Sequence, residues 1–221
     1  MSTYKGLLFD LDGVIVDTAK YHFMAWKSLA DELGILFTQE DNERLKGVSR
    51  MASFEIILEI GKKTMSQEEK EACCAKKNEI YVDYIKKLRE DEILPGVREF
   101  LTDARDKGYK TALGSASKNS PMILEGLGIR ELFDAVIDGT KTSRAKPDPE
   151  VFLKGAQALG LSGSECIVFE DAAAGILAAH NGGMKAVGIG SPQVLCEADL
   201  VMAGFEGVKV EDVIAKLETR A

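Results

Sequence analysis

The chain has 221 residues, 45% of them apolar, and a formal net charge of −8. This composition suits one or two packed domains and argues against nucleic acid or an anionic membrane as a partner. No apolar run approaches the roughly 20 residues of a membrane span. The short run 7–9 meets two acids, so we expect no secretory signal. The spacing of the four cysteines is unlike a zinc site, which favours reduced thiols in a cytoplasmic protein.

Short apolar segments alternate with helical patterns along most of the chain. The first predicted strand covers 4–10, and later strands are predicted at 110–114, 135–138, 166–170, 185–189 and 199–202. Helices are predicted between them at 97–107, 119–127, 149–159 and 171–181. The alternation predicts an α/β fold with a Rossmann-like parallel sheet core covered by helices on both faces. Ligands of such sheets bind beyond the carboxyl ends of the strands.

One long segment, 19–89, breaks this alternation because it contains helical patterns and no convincing strand. Helices are predicted there at 20–34, 40–46, 51–61 and 67–89. We therefore predict a helical cap domain of residues 16–92, inserted into a Rossmann-like catalytic core of residues 1–15 and 93–221. The two connections, near 14–18 and 89–94, are natural hinges.

Two carboxylates, Asp10 and Asp12, end the first predicted strand, and Gly13 follows them. In an extended backbone, residues two apart project to the same side, so both side chains can point into one site. The alternative is a pair of solvated loop aspartates. The pattern alone does not decide between the two.

Polar residues also follow three later strands, and each has an ordinary structural explanation. Ser115 can hold an oxyanion or cap a helix. Lys146, in a stiff turn before Pro147, can neutralise a phosphate or simply be solvated. Glu170 and Asp171 are hard oxygen donors that suit Mg²⁺, but acids also favour helix N-termini.

Together, these four motifs in this order resemble the haloacid dehalogenase superfamily of phosphotransferases over nearly the whole chain. The resemblance implies that Asp10 is the nucleophile, forming an aspartyl-phosphate, and that Asp12 is the general acid/base. It implies Ser115 and Lys146 as further catalytic residues. It also implies a Mg²⁺ cofactor held by Asp10, the Asp12 backbone carbonyl, Glu170 and Asp171.

Within that superfamily, the tracts 17–26, 45–50 and 115–119 resemble the β-phosphoglucomutase family. This resemblance implies interconversion of β-D-glucose 1-phosphate and glucose 6-phosphate, with β-glucose 1,6-bisphosphate as intermediate and activator. It implies a set of residues that bind the sugar phosphate, namely Thr18, His22, Trp26, Lys46, Gly47, Val48, Ser49, Arg50, Ser53, Ser117, Lys118 and Asn119.

Several roles stay open on the sequence alone. A mutase must hold a second phosphate, for which Arg50 is the best candidate because its planar fork binds phosphate bidentately. A core position is an equal alternative for Trp26, and Thr18 can either cap the following helix or bond Asp12. We predict a solvated helix face for Lys77 and Asn78.

The reaction and the partners are also expectations at this stage. A Mg-dependent sugar-phosphate phosphatase with the same nucleophile is the alternative to a mutase, since only the group that attacks the aspartyl-phosphate differs. We expect a small sugar phosphate as partner, no nucleic acid, no membrane, and a monomer.

Overall fold

The structure is a computed structural model, and it describes residues 3–45 and 49–219. The chain divides into two compact units, one of Met1–Asp17 with Leu88–Ala221 and one of Thr18–Lys87. Within the described residues, no helix combines the length and apolarity that crossing a membrane requires. We call the first unit the core unit and the second the helical unit.

The core unit is built on a parallel sheet. Its strands are β1 (Gly6–Phe9), β2 (Lys110–Gly114), β3 (Ala135–Ile137), β4 (Cys166–Glu170), β5 (Lys185–Ile189) and β6 (Leu200–Met202). Their order is β3-β2-β1-β4-β5-β6, and every neighbouring pair is parallel. The strand order reverses between β1 and β4, which is where ligand sites form in such sheets. The predicted α/β fold with a parallel sheet is confirmed.

The helices divide between the two units. In chain order they are α1 (Ala19–Glu32), α2 (Gln39–Glu43), α3 (Arg50–Ile60) and α4 (Gln67–Ile85) in the helical unit, then α5 (Val97–Asp106), α6 (Ser120–Gly126), α7 (Glu150–Leu159), α8 (Ala173–Asn181) and α9 (Val210–Glu218) in the core unit. Helix α9 was not predicted from the sequence. The other helices match predicted segments with shifts of a few residues at the ends.

The central strands of the core unit are buried on both faces. On one face, Phe9 stacks on Phe169 with ring centroids 4.7 Å apart, because the β1–β4 register pairs these two residues. On the other face, Leu8 and Val168 belong to a cluster that includes Phe152 of α7. Close packing on both faces therefore fixes β1 and β4. It also fixes the positions of the polar residues at their carboxyl ends.

The helical unit has its own apolar core, formed where α1, α3 and α4 pack. A capping box starts α4, since the Ser66 Oγ accepts from the Glu69 N–H at 3.2 Å while the Glu69 carboxylate accepts from the Ser66 N–H at 2.7 Å. Gly34 follows α1 with a φ of +64°, a conformation that suits glycine at a helix end.

Candidate active site

A buried lysine joins two of the strand ends in the core unit. The Lys146 Nζ donates to the Asp10 Oδ1 and to the Glu170 Oε1, both at 2.5 Å. It also lies 4.7 Å from the centre of the Phe152 ring. Asp10 follows β1 and Glu170 ends β4, so the central strands bring the two acids together and Lys146 bridges them.

The environment of Lys146 favours its charged form. Burial alone would lower the pKa of this ammonium group, but the Asp10 and Glu170 carboxylates outweigh burial and raise it. Burial raises the pKa of Glu170, and the Lys146 charge opposes that effect. The solvated-lysine alternative for Lys146 is therefore wrong, because its side chain is only 15% exposed.

Two glycines make room for the acids after β4. A Cβ on Gly175 would lie 1.9 Å from the Glu170 carboxyl carbon, so Glu170 requires glycine at that position. A Cβ on Gly13 would lie 2.1 Å from the Asp171 Oδ2, and Gly13 also has a φ of +75°. The loop after β1 thus approaches Asp171 so closely that only glycine fits.

Negative charge accumulates around Asp171. Desolvation, followed by the charges of Glu170, Asp10 and Asp12, raises the pKa of Asp171 to about 7. Lys146 opposes this shift but does not cancel it. A cation added here would offset the repulsion between the carboxylates.

The donor chemistry fits Mg²⁺, because carboxylate and carbonyl oxygens are its usual protein ligands. Across residues 3–45 and 49–219, no three His, Cys, Asp or Glu side chains are already gathered as a metal site. The predicted set contributes three side chains, those of Asp10, Glu170 and Asp171, and one backbone carbonyl, that of Asp12. Lys146 contacts two of those three side chains in this structure.

The Ser115 motif forms a tight turn after β2. Ser115 is 2% exposed, and its Oγ accepts from the Ser117 N–H at 3.1 Å. The Ser117 Oγ in turn accepts from the Asn119 N–H at 3.3 Å. Lys118 is exposed. These hydroxyls order the turn but do not cap α6, whose N-cap residue Asn119 makes no side-chain capping bond, so the helix-cap alternative for Ser115 is wrong.

Glu150, the first residue of α7, orders the loop that carries Lys146. Its carboxylate accepts from the Ser143 N–H at 2.9 Å and from the Arg144 N–H at 2.8 Å. The ion pair with Lys154 and these backbone donors lower the pKa of Glu150 to about 2. Glu150 was not predicted from the sequence as a site residue. An acid just after the Lys-Pro turn was the available signal.

In the helical unit, α4 contributes a buried lysine, Lys77, for which the sequence predicted a solvated face. Lys77 is 2% exposed, so that prediction was wrong. It lies 4.8 Å from the ring centres of both Trp26 and Tyr81. The signal was present, since Cys74, Lys77, Tyr81 and Ile85 follow helical spacing and are the buried residues of α4.

His22 contacts this lysine. The Lys77 Nζ donates to the His22 Nδ1 at 2.9 Å, and the His22 ring centre lies 4.1 Å from that of Tyr81. Burial, followed by the charges of Lys77 and Arg50, lowers the pKa of His22 to about 3. His22 is therefore neutral at physiological pH and accepts a hydrogen bond from a cation.

Thr18 does not cap α1 with its side chain. Its Oγ1 instead accepts from the Tyr81 hydroxyl at 3.2 Å, and Thr18 is fully buried. The capping alternative for Thr18 is thus wrong, and the hydroxyl ties the start of α1 to α4.

The remaining predicted residues of the helical unit differ in exposure. Trp26 is 3% exposed and stacks on Phe54 with ring centroids 6.0 Å apart, which supports its core alternative. Ser53 is also buried. Ser49 is exposed and caps α3, its Oγ accepting from the Ala52 N–H at 3.2 Å. Lys46, Gly47 and Val48 lie outside the described residues.

The neutral His22 gives folding a pH dependence. Its pKa is about 3 when folded against 6.5 otherwise, so the unfolded chain binds an extra proton between those values. Stability is full above pH 6.5 and is lost as the pH falls toward 3. From pH 7 to pH 5 we expect His22 to account for up to about 2 kcal/mol of the loss in unfolding free energy.

Urea unfolding at the two pH values checks this expectation. His22→Gln should lose less stability than the parent chain on acidification. His180→Gln changes the other of the two histidines and should leave the His22-dependent loss intact. Equal losses in the parent chain and His22→Gln would contradict the assignment of a neutral His22.

Known proteins resemble this chain over most of its length. The family model for haloacid dehalogenase-like hydrolases matches residues 4–183. A relative named beta-phosphoglucomutase, from Bacillus subtilis, is 44% identical over 94% of this chain and 92% of its own length. A fructose-1-phosphate phosphatase from Escherichia coli is 32% identical over 84% of this chain and 96% of its own.

A solved structure described as beta-phosphoglucomutase from Clostridium difficile matches with a TM-score of 0.91 and 42% identity, covering 98% of both chains. Because it covers 98% of this chain, the match includes residues of both units. With the family model spanning most of the sequence and the acids and lysine gathered at the strand ends, the chain belongs to the haloacid dehalogenase-like hydrolase family.

Proposed function

We propose that this chain is a Mg-dependent β-phosphoglucomutase, interconverting β-D-glucose 1-phosphate and glucose 6-phosphate through β-glucose 1,6-bisphosphate. The observation that carries the chemistry is Lys146 held 2.5 Å from both Asp10 and Glu170 at the strand ends. The choice of sugar is supported by the Bacillus subtilis relative, at 44% identity.

Asp10 acts as the nucleophile in this proposal. A carboxylate oxygen of Asp10 forms a bond to phosphorus while the bond from phosphorus to the sugar oxygen breaks, its electron pair going to that oxygen. Asp12 gives the oxygen a proton. In the second half, the 6-hydroxyl of β-glucose 1-phosphate passes its proton to Asp12 and attacks the aspartyl-phosphate, which forms the 1,6-bisphosphate and frees the Asp10 carboxylate. The bisphosphate then gives its 1-phosphate to Asp10 by the first half and leaves as glucose 6-phosphate.

Lys146 reduces the repulsion between the Asp10 carboxylate and the substrate phosphate. The phosphate group and the Asp10 carboxylate repel one another, and the Lys146 ammonium offsets this repulsion on the nucleophile's side. Glu170 holds that ammonium from its other side. Mg²⁺, when held by Asp10, the Asp12 carbonyl, Glu170 and Asp171, supplies further charge compensation for the transferring phosphoryl group.

The second phosphate of the bisphosphate needs ligands of its own. Arg50 from the helical unit and Lys118, Asn119 and Ser117 from the core unit remain our predictions for them. Arg50 is exposed at the start of α3, and Lys118 is exposed after β2. Both side chains are accessible to solvent and carry the positive charge that phosphate recognition needs.

The experiment supplies anomerically pure β-glucose 1-phosphate with Mg²⁺ and a trace of bisphosphate. Glucose 6-phosphate and free phosphate are followed separately. We expect glucose 6-phosphate to form much faster than free phosphate. Rapid phosphate release without isomerisation would contradict the mutase proposal and support the phosphatase alternative, which the Escherichia coli relative represents.

An Arg50→Ala variant separates the two halves of the proposal. Phosphorylation of Asp10 by acetyl phosphate should be unchanged, because this donor has no second phosphate. Isomerisation should fall about 100-fold, since charge-assisted hydrogen bonds are lost. Arg44→Ala is the matched control, because Arg44 is also exposed but contacts Glu59.

Location and assembly are also proposals. A cytoplasmic setting is supported by the free thiols of Cys73, Cys74, Cys166 and Cys196. The Cys166 thiol is buried, and desolvation raises its pKa to about 12, so it is unreactive. We further propose that the chain acts as a monomer on a small sugar phosphate.

A further inference from the structure

Helix α4 contacts Arg50 at two points. The Arg50 guanidinium donates to the Asn78 Oδ1 at 2.8 Å, and the Cys74 thiol lies 3.8 Å from the Arg50 carbonyl oxygen. Cys74 and Asn78 are four residues apart, so they lie on the same face of α4. One helix face thus holds both the backbone and the side chain of the residue that starts α3.

The partner of the Arg50 guanidinium is a neutral amide. Several other cations of the helical unit contact carboxylates instead, including Arg44 with Glu59 at 3.4 Å and Lys70 with Glu55 at 3.1 Å. A carboxylate would neutralise the guanidinium and repel an incoming phosphate. An amide oxygen accepts one N–H and leaves the charge and the remaining donors for an anion.

The hydrogen bond also restricts an otherwise flexible side chain. Arg50 is exposed, and an unrestrained arginine loses much rotamer freedom when it binds a ligand. A side chain already held by Asn78 has part of that cost removed before binding. Asn78 itself is half-buried on α4, so its own position is defined.

The positive charge of Arg50 also acts on His22 within the helical unit. Burial, followed by the charges of Lys77 and Arg50, lowers the pKa of His22, so both cations contribute positive potential at that ring. A carboxylate at position 78 would weaken this potential. The neutral partner therefore matches an anion-binding role.

We propose that Asn78 is a positioning residue, which holds the Arg50 guanidinium for a substrate phosphate without neutralising it. The inference rests on the proposed function in taking Arg50 as a phosphate ligand. It extends that function by a residue that touches Arg50 and not the reacting atoms.

The test measures binding of glucose 6-phosphate by calorimetry to the parent chain and to Asn78→Ala and Asn78→Asp, each also combined with Arg50→Ala. Asn78→Ala should weaken binding about fivefold, the effect of one lost hydrogen bond. Asn78→Asp keeps the side-chain shape but adds a negative charge, and should weaken binding about 20-fold. Glu79→Ala, an exposed neighbour on α4, is the matched control and should bind normally.

The double variants decide between positioning and a general structural effect. In the Arg50→Ala background, both substitutions at position 78 should change affinity less than twofold. Losses of equal size in both backgrounds would overturn the proposal, and so would parent-like binding by Asn78→Asp. Asn78→Ala serves as the second variant should Asn78→Asp not fold.

Kinetics keep this inference separate from the mutase proposal. Acetyl phosphate should phosphorylate Asp10 at the parent rate in both Asn78 variants, while KM for β-glucose 1-phosphate rises. A parent chain that releases phosphate instead of isomerising would refute the mutase reaction only. The binding cycle would still show whether Asn78 acts through Arg50.

Discussion

Asp10→Asn is expected to lose turnover by at least about 10⁴-fold, the scale on which enzymes lose activity when a covalent nucleophile is removed. The amide is nearly the same size as the carboxylate but cannot form the acyl phosphate. Asp10 is only 9% exposed and its backbone N–H donates to the Phe169 carbonyl at 3.0 Å, so the residue's position should persist in the variant.

Stability should respond differently from turnover. The substitution removes one ion pair with Lys146, but it also removes one of the charges that repel Asp171. These effects oppose one another, so we expect only a small change in the midpoint of thermal unfolding. A loss of turnover with the fold retained would assign Asp10 to the chemistry and not to the architecture.

Asp12→Asn and Asp106→Asn are the variants with which Asp10→Asn is compared. Acetyl phosphate has a good leaving group, so Asp12→Asn should still accept a phosphoryl group on Asp10, visible by intact mass, and then transfer it slowly to a sugar. Asp106 is exposed at the end of α5, and its substitution should leave all steps unchanged. A phosphorylated Asp10→Asn chain would show that another residue is the nucleophile.

The sheet could be predicted from the sequence because its strands are short, apolar and punctuated by polar residues. The segments 110–114, 166–170 and 185–189 match the observed strands at both ends. Burial on both faces produces this pattern directly. The helix α9 was missed, although Val210, Val213, Ile214 and Leu217 are buried at helical spacing.

The acids at the strand ends could also be predicted, because a parallel sheet brings such positions to one edge. The hydrogen bonds and ion pairs around these acids could not be predicted from the sequence. That Lys146 reaches both Asp10 and Glu170 depends on tertiary packing between segments far apart in the chain. That Glu150 orders its loop depends on how the chain turns between Arg144 and Glu150.

The helical unit was harder to interpret because polar residues there serve packing. Lys77 looked like part of a solvated face, yet it lies between Trp26 and Tyr81. A lysine stem can pack among apolar groups when its ammonium finds an acceptor and aromatic faces. Charge alone was therefore a poor guide to exposure on α4.

Lys146→Met should lower both turnover and stability. Removing a preorganised charge from the reacting groups costs about 10³-fold in rate. The Lys146 side chain is 15% exposed and that of Glu170 is 2% exposed, so the variant leaves nearly buried carboxylates without their cation. Breaking such a pair costs about 3 kcal/mol of unfolding free energy.

The matched control is Lys185→Met. Lys185 also contacts a carboxylate, Asp199, at 2.6 Å, but its side chain is 35% exposed and it lies at the start of β5. A pair this exposed contributes little, so the control should lose less than about 1 kcal/mol and keep its turnover. Chemical denaturation and the isomerisation assay measure both quantities on the same samples.

Mg²⁺ distinguishes the charge of Lys146 from its packing. A cation that binds the folded chain stabilises it by mass action, and it binds best where the carboxylates lack a counter-charge. We therefore expect Mg²⁺ to stabilise Lys146→Met more than the parent chain, while turnover stays low because the ammonium beside Asp10 is still absent. Equal stabilisation of both chains by Mg²⁺ would contradict this expectation. The stability lost in Lys146→Met would then come from the packing of the lysine side chain against Phe152, and not from its ion pairs with Asp10 and Glu170.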